Sequence, residues 1–229
     1  MAKIKLSAIV SQMSGKLNGS VFAKNRGGAY IRTKVTPVNP QSVAQMSVRA
    51  ALTSLSQSWR GLTSDQRAAW NAAVSNYTST DIFGDIKTPS GINLFNKLNL
   101  NLDNIGVSPI SEPPAPVSVG FFSALSITAD ASSGTVAATF TAEGASAGQT
   151  VVVEATPCVS AGKDFVKSEY RVVGTFAGNG TSPQALGAMI VSKFGAMTAG
   201  QKLFVRLKFV DNTTGISGQY AAASTIVVP

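Results

Sequence analysis

The apolar residues between positions 42 and 77 recur three and four residues apart, as on one face of an amphipathic helix. The first helix carries the stripe Val48, Leu52, Leu55 and Trp59. Gly61 ends this helix, and Thr63 and Gln66 have the spacing of a capping box that starts a second one. The second helix carries the stripe Trp70, Ala73, Val74 and Tyr77. We expect a helical hairpin with both tryptophans facing inward and a core of Leu52, Leu55, Trp59, Trp70 and Val74.

A strand pattern precedes these helices. Residues 20–24 and 29–35 are strand-like, and residues 25–28 form a glycine-containing turn between them, which predicts a β-hairpin. Alternation along the second strand places Tyr30, Arg32 and Lys34 on one face. The arm before the hairpin, residues 2–17, has a mixed pattern, and we expect it either to add a strand to another chain or to lie over a neighbouring subunit.

The remaining pattern predicts a third helix and then a β-rich region. Ser90 caps a helix over residues 91–104 whose apolar face is formed by Leu94, Leu98 and Leu102. A proline-rich linker follows at 107–116. Seven short strands are then predicted, at 121–129, 134–142, 149–156, 169–176, 186–193, 201–210 and 219–228. This number of strands fits an immunoglobulin-like or fibronectin-III-like sandwich, and the lack of a cysteine pair favours the fibronectin-like variant.

Together these patterns predict an α+β, multidomain protein. A basic arm and β-hairpin occupy residues 1–40, a three-helix module residues 41–106, the linker residues 107–116, and an all-β sandwich residues 117–229.

Charge divides the chain in the same way. The net charge is +8, and the residues before Asp65 include five lysines, four arginines and no acid. From residue 105 onward, seven basic and seven acidic residues cancel. This asymmetry indicates an acidic partner for the N-terminal half, either nucleic acid or an acidic protein surface, although a solvated basic face has the same composition. The predicted partner contacts are Lys24, Arg26, Tyr30, Arg32 and Lys34.

The composition argues against catalysis. The chain has no histidine and a single cysteine, Cys158, so it lacks Ser-His-Asp and Cys-His nucleophile systems and the histidine-containing zinc sites. Asp81 and Asp85 could hold a cation, but a polar turn anchored by Ile82 and Phe83 explains them better. We therefore expect no enzyme activity, no cofactor and no metal. We also expect no membrane contact, because the apolar runs are short and the first residues make too short a stretch for a secretory signal.

Residues 15–104 add a family resemblance. The basic hairpin is followed by Thr36-Pro-Val-Asn-Pro40, then by Trp59-Arg-x-Leu-Thr63-x-x-Gln-Arg-x-x-Trp70-Asn, and then by Ser90-Gly-x-x-Leu-Phe95-x-x-Leu-Asn99. This order resembles uncharacterised structural, virion-associated proteins of tailed bacteriophages and prophages. The resemblance implies a virion component that is made in the host cytoplasm and contacts other virion proteins, with no catalytic or cofactor residue to carry over.

Within a virion, the implied role is capsid decoration, head–tail joining or that of a tail accessory protein, in many symmetric copies. Two other functions remain open at this point. The basic half also fits a phage DNA-binding or packaging-associated protein that contacts packaged DNA, and the sandwich fits a surface-binding adhesion module.

Overall fold

The structure is a computed structural model that describes residues 2–7 and 10–229. The described chain is a mixed α/β protein with four α-helices, several antiparallel sheets and a β-rich C-terminal part. It divides into two compact units, Met1–Asn96 and Lys97–Pro229, and this division falls inside the third helix.

The N-terminal unit begins with a four-stranded antiparallel sheet of order β1-β4-β3-β2. Its strands are β1 (Ala2–Lys3), β2 (Gly15–Leu17), β3 (Ser20–Asn25) and β4 (Gly28–Thr33). The predicted hairpin is confirmed as β3 and β4, and the Asn25 side chain accepts a hydrogen bond from Gly27 N at 2.9 Å inside the turn. Two short segments of the arm, β1 and β2, pair with the two sides of this hairpin, so the arm contributes strands to its own sheet. Arm residues 1, 8 and 9 lie outside the described residues.

Helices follow where the sequence places them. They are α1 (Val43–Gly61), α2 (Ser64–Ala73), a 3₁₀ turn (Val74–Tyr77) and α3 (Gly91–Asn104), with a small hairpin of β5 (Ser79–Thr80) and β6 (Ile86–Lys87) before α3. The predicted capping box is confirmed. Thr63 Oγ1 accepts from Gln66 N at 3.2 Å, and Gln66 Oε1 accepts from Thr63 N at 2.9 Å.

Replacing Thr63 with alanine is expected to lower the free energy of unfolding by about 1 kcal/mol, because the Gln66 amide at the start of α2 loses its acceptor. Thr53→Ala, at an exposed position inside α1, is the matched control and is expected to be neutral or slightly stabilising. Urea unfolding measures both changes. Equal effects at the two positions would mean that the capping contact contributes nothing.

The aromatic core of this unit is centred on Phe95. The Trp59 and Trp70 rings lie 5.4 and 5.3 Å from the Phe95 ring, and Trp70 meets it edge-on. Trp70 and Leu55 are buried as predicted, whereas Trp59 and Val74 are only half-buried. The placement of Leu52 in the core is wrong, because this side chain is 44% exposed. The reason is position: Trp59 is the residue of α1 that contacts the Phe95 ring, and Leu52 lies seven residues before it, about 10 Å along the helix at 1.5 Å per residue.

The C-terminal unit contains two antiparallel sheets that pack face to face. Its elements are β7 (Phe121–Asp130), β8 (Thr135–Glu143), β9 (Gln149–Ala155), β10 (Arg171–Ala177), β11 (Gln184–Ala185), α4 (Gly187–Phe194), β12 (Lys202–Asp211) and β13 (Ala221–Ile226). The sheet orders are β11-β8-β7 and β10-β9-β12-β13. Alternate residues of both sheets form the core, among them Ile127, Val136, Val153, Val205 and Leu207. Val228, after β13, forms a parallel bridge to Asp130 of β7 and thereby joins the sheets at one edge.

One predicted strand of this unit is wrong. Residues 186–193 were expected to be extended, but α4 covers Gly187–Phe194 and only the two residues of β11 pair with β8. Leu186 and Ile190 are one helical turn apart and both are buried in the core, so the helical period decides the structure here. Gly195 ends the helix with a φ of 83°, which glycine adopts without strain.

The proline-rich segment after α3, predicted as a linker, makes contacts with that helix. The buried Asn99 side chain accepts a hydrogen bond from Ile110 N at 2.7 Å and donates one to Ile110 O at 3.2 Å, so the segment is tied back to the helix. The second half of α3 also packs within this unit. Asn101 donates to Gly215 O at 2.8 Å, and Leu98 and Leu102 are fully buried. The division between the units therefore lies within α3, before the proline-rich segment.

Candidate partner-binding site

The basic face of the N-terminal sheet follows from the strand register. Tyr30 pairs with Lys3 on one side and Ala23 on the other, and Arg32 pairs with Val21, which in turn pairs with Lys16. Directly opposed residues point to the same face, and so do residues two apart along a strand. Lys3, Lys16, Tyr30 and Arg32 therefore share one face. The sequence reasoning missed Lys16, because the pairing of β2 with β3 has no clear sequence signal.

Lys24 does not belong to this face. It pairs with Ala29, the neighbour of Tyr30 along β4, and therefore points to the opposite side of the sheet. Arg26 lies in the turn between the strands, and Lys34 follows β4 with the same alternation as Arg32. The five predicted contacts thus separate into a face with Tyr30, Arg32 and Lys34, a turn with Arg26, and Lys24 on the other side.

Three cations of this face are available to a partner. Arg32, Lys34 and Lys16 are exposed, and none of them forms an ion pair within the part of the chain that the structure describes. Tyr30 is half-buried beside them. The face therefore offers unpaired positive charge and one aromatic ring, an arrangement that suits carboxylates or phosphates.

The two carboxylates of the β5–β6 hairpin hold the N-terminal arm. Asp81 Oδ2 lies 2.6 Å from Lys3 Nζ, and Asp85 lies 3.3 Å from Lys5 Nζ. Asp81 Oδ1 also accepts from the backbone N–H groups of Phe83 at 2.8 Å and Asp85 at 3.1 Å. The predicted polar turn is confirmed, and no cluster of metal ligands occurs among the described residues. The expected anchors Ile82 and Phe83 are wrong, since their side chains are 78% and 43% exposed.

Acid is expected to release this arm. The Lys3 hydrogen bond, together with the Phe83 and Asp85 amides, lowers the pKa of Asp81 from its ordinary value of 3.8 to about 2. A lowered folded-state pKa contributes stability that is complete above 3.8 and is lost as the pH falls from about 4 to about 2. The amide of Ile4, which donates to Ala29 O at 3.1 Å, should therefore lose its protection from exchange in that range, measured relative to an unfolded amide at the same pH.

Hydrogen exchange of the Ile4 amide against pH measures this release. Asp81→Asn should make the amide exchange fast already at neutral pH, whereas Asp85→Asn, in an exposed pair, should change it little. The amide of Lys34, which donates to Gly19 O, reports the β3–β4 hairpin and should stay protected throughout. Loss of protection at both amides at the same pH would show general unfolding and contradict a local release.

A small pocket lies between the hairpin turn and β6. Its volume is about 310 Å³, and its cationic lining residues are Lys3, Lys5, Arg26 and Lys87. Asp81 and Asp85 neutralise the first two, while Arg26 and Lys87 have no carboxylate partner among the residues described. The pocket therefore carries excess positive charge and could hold one anionic group beside Gly27.

In the C-terminal unit, one cluster of polar and charged side chains is built around Glu154. The Arg206 guanidinium lies between the rings of Tyr170 and Tyr220, 4.2 Å from each, and donates two hydrogen bonds to Glu154 at 2.5 and 2.8 Å. Tyr220 donates to the other Glu154 oxygen at 2.7 Å. Burial, followed by this contact with Glu154, raises the pKa of Tyr220 to about 12. Because both Glu154 oxygens are engaged, this cluster fits a structural role better than a catalytic one.

The comparisons with known proteins identify no relative. Neither family models, nor curated proteins, nor solved structures match this chain. Among the described residues, no helix combines the length and the apolar character that crossing a membrane requires.

Proposed function

We propose that this protein is a structural component of a tailed-phage virion and that it attaches through its basic N-terminal half. The observation that carries this proposal is the difference in charge between the two halves of the chain. Nine cations and no acid precede Asp65, whereas seven basic and seven acidic residues cancel from residue 105 onward. Lys16, Arg32 and Lys34 of the basic half are exposed and form no ion pair within the described chain. An acidic partner therefore gains the most electrostatic attraction at the N-terminal sheet.

We further propose that the C-terminal unit is a fibronectin-III-like sandwich. If its strands are lettered in chain order as A, B, C, C′, E, F and G, one sheet is A-B-E and the other is C′-C-F-G. Immunoglobulin-type sandwiches likewise place C, F and G in one sheet and A, B and E in the other. The fourth strand, β10, pairs with β9 and not with β11, which favours the fibronectin-like arrangement. Such a sandwich would project from the particle or bridge its parts.

A binding role is better supported than an enzymatic one. The buried carboxylate of Glu154 is occupied by Arg206 and Tyr220, and Asp81 is occupied by Lys3 and backbone amides. Neither carboxylate is free to act as a general base. The proposal therefore includes no enzyme activity and no cofactor.

A DNA-binding function is the second candidate, favoured by the position of Tyr30 beside Arg32 on one exposed face. An aromatic ring next to cations can stack a base and contact the backbone phosphates. This function would also fit a protein that meets packaged DNA.

Density-gradient purification of particles from producing cells separates the two functions. The proposed function predicts that the protein bands with particles, remains after nuclease treatment, and elutes from a DNA resin at modest salt. Loss from nuclease-treated particles, together with retention on the resin at raised salt, would favour the DNA-binding function instead.

A further inference from the structure

The segment from residue 32 to residue 50 is exposed at every position. It includes the end of β4, the extended connection and the first two turns of α1. It also holds a concentration of large exposed apolar side chains: Val35, Val38, Val43, Met46 and Val48. A run of this kind is unusual on a protein surface, where exposed apolar residues are normally scattered, and such patches mark interaction sites.

The start of α1 has little support within its own chain. An isolated helix of this length is marginal in water, and residues such as Val43, Ser47 and Val48 have only moderate helix propensity. Ser42 caps the helix weakly, with Gln45 N 3.4 Å from its hydroxyl. Arg49 donates to Asn39 Oδ1 at 2.9 Å, which ties the helix to the preceding connection but buries no apolar surface. A partner that covers the apolar side chains would supply the missing stabilisation.

The exposed side chains continue an apolar stripe that is already in use. Val48 and Leu52 lie on the same helical face as Leu55 and Trp59. Leu55 is buried and Trp59 contacts Phe95, while Val48 is 67% exposed. The stripe therefore runs without interruption from the core of the unit onto an open surface.

Charge indicates what kind of surface covers this stripe. The segment carries Arg32, Lys34 and Arg49 and no acidic residue. A second copy of the same surface would place like charges together, which is unfavourable at an interface. An apolar groove with carboxylates on its rim would instead pair with these cations while it buries the stripe.

We propose that the start of α1, residues 43–52, docks as a helix into an apolar groove with an acidic rim on a different protein. This deepens the proposed function and rests on it, because it identifies which side chains make the attachment and what partner chemistry they need. The mode is helix-in-groove recognition, with Val48 and Leu52 as anchors and Arg49 at the rim.

Photo-crosslinking identifies what lies against the stripe. A photo-reactive amino acid is placed at position 48 of the full-length protein in the cells that produce it. The proposal expects a crosslink to another protein, at an apolar position with Asp or Glu nearby, whose yield falls with Arg49→Glu and with added salt. A crosslink to the same chain, to phospholipid, or to no molecule would overturn the proposal. A crosslink to a surface without carboxylates would do the same.

Paired variants measure the contribution of the stripe. Val48→Ser with Leu52→Ser should lower the amount of protein in purified particles about tenfold, because the docked face loses its apolar anchors. The matched control is Thr53→Ser with Gln57→Ser, at exposed positions off the stripe, and should leave that amount unchanged. Unchanged melting of both variants confirms folding.

The outcomes distinguish this inference from the proposed function. If the stripe variant and its control attach equally, the inference is wrong while the virion function stands. If the parent protein is absent from particles, the virion function is wrong, and the crosslink at position 48 alone then decides whether the stripe docks into an acidic-rimmed groove.

Discussion

Replacing Trp70 with alanine is expected to lower the free energy of unfolding of the N-terminal unit by about 3–5 kcal/mol. Trp70 has no exposed surface, and its ring meets Phe95 edge-on at 5.3 Å. Removing the indole leaves a cavity against Phe95, which is itself buried and leaves little room for collapse. Because helices α1 and α3 both contribute to this cluster, the whole unit should melt at a lower temperature.

Trp59→Ala is the matched control for this prediction. Trp59 also contacts Phe95, at 5.4 Å, but it is only half-buried, so its removal should cost clearly less than that of Trp70. Thermal melting followed by near-ultraviolet circular dichroism measures both variants. Equal losses for the two tryptophans, or no loss for Trp70, would contradict the packing around Phe95.

Breaking the Glu154–Arg206 pair is expected to cause the second large loss of stability. Arg206→Met should cost about 3–5 kcal/mol, because it leaves the buried Glu154 carboxylate with Tyr220 as its remaining partner. It also removes the cation that lies between the rings of Tyr170 and Tyr220.

The double variant Glu154→Leu with Arg206→Met should be much more stable than Arg206→Met alone. Removing both charges eliminates the unpaired buried carboxylate and leaves apolar side chains on this face of the sheet. Urea unfolding of the two single variants and of the double variant measures the coupling. Additive losses would show that the two side chains do not act as a pair, contrary to the geometry.

Local signals predicted much of the fold. Thr63 and Gln66 form their capping box because the contact needs only neighbours along the chain, and residues 25–28 form a tight turn for the same reason. Leu186 and Ile190 illustrate the limit of such signals. A short apolar run fits a strand or a helix equally well, and only the core in which both residues are buried selects the helix.

The candidate site was predictable only in part, since long-range pairing decides which cations share a face. The turn at Arg26 and Gly27 fixes the register that separates Lys24 from Arg32, and this could have been derived from the sequence. Two other features depend on contacts between distant segments, which no local pattern encodes. Lys16 joins the face because β2 pairs with β3, and Lys3 is bound by Asp81. Leu52 is likewise exposed because the contact of α1 with Phe95 is made at Trp59, toward the other end of the helix.

Attachment through the basic N-terminal sheet is tested most directly by reversing charges in the full-length protein. The measurement is the amount of the protein in purified particles. One variant carries Arg32→Glu and Lys34→Glu; the matched control carries Lys167→Glu and Lys193→Glu, exposed lysines of the C-terminal unit with the same charge change. We expect the first variant to fold but to be lost from particles, and the control to be incorporated like the parent. Normal incorporation of the first variant with loss of the control would contradict attachment through the N-terminal half and assign it to the sandwich.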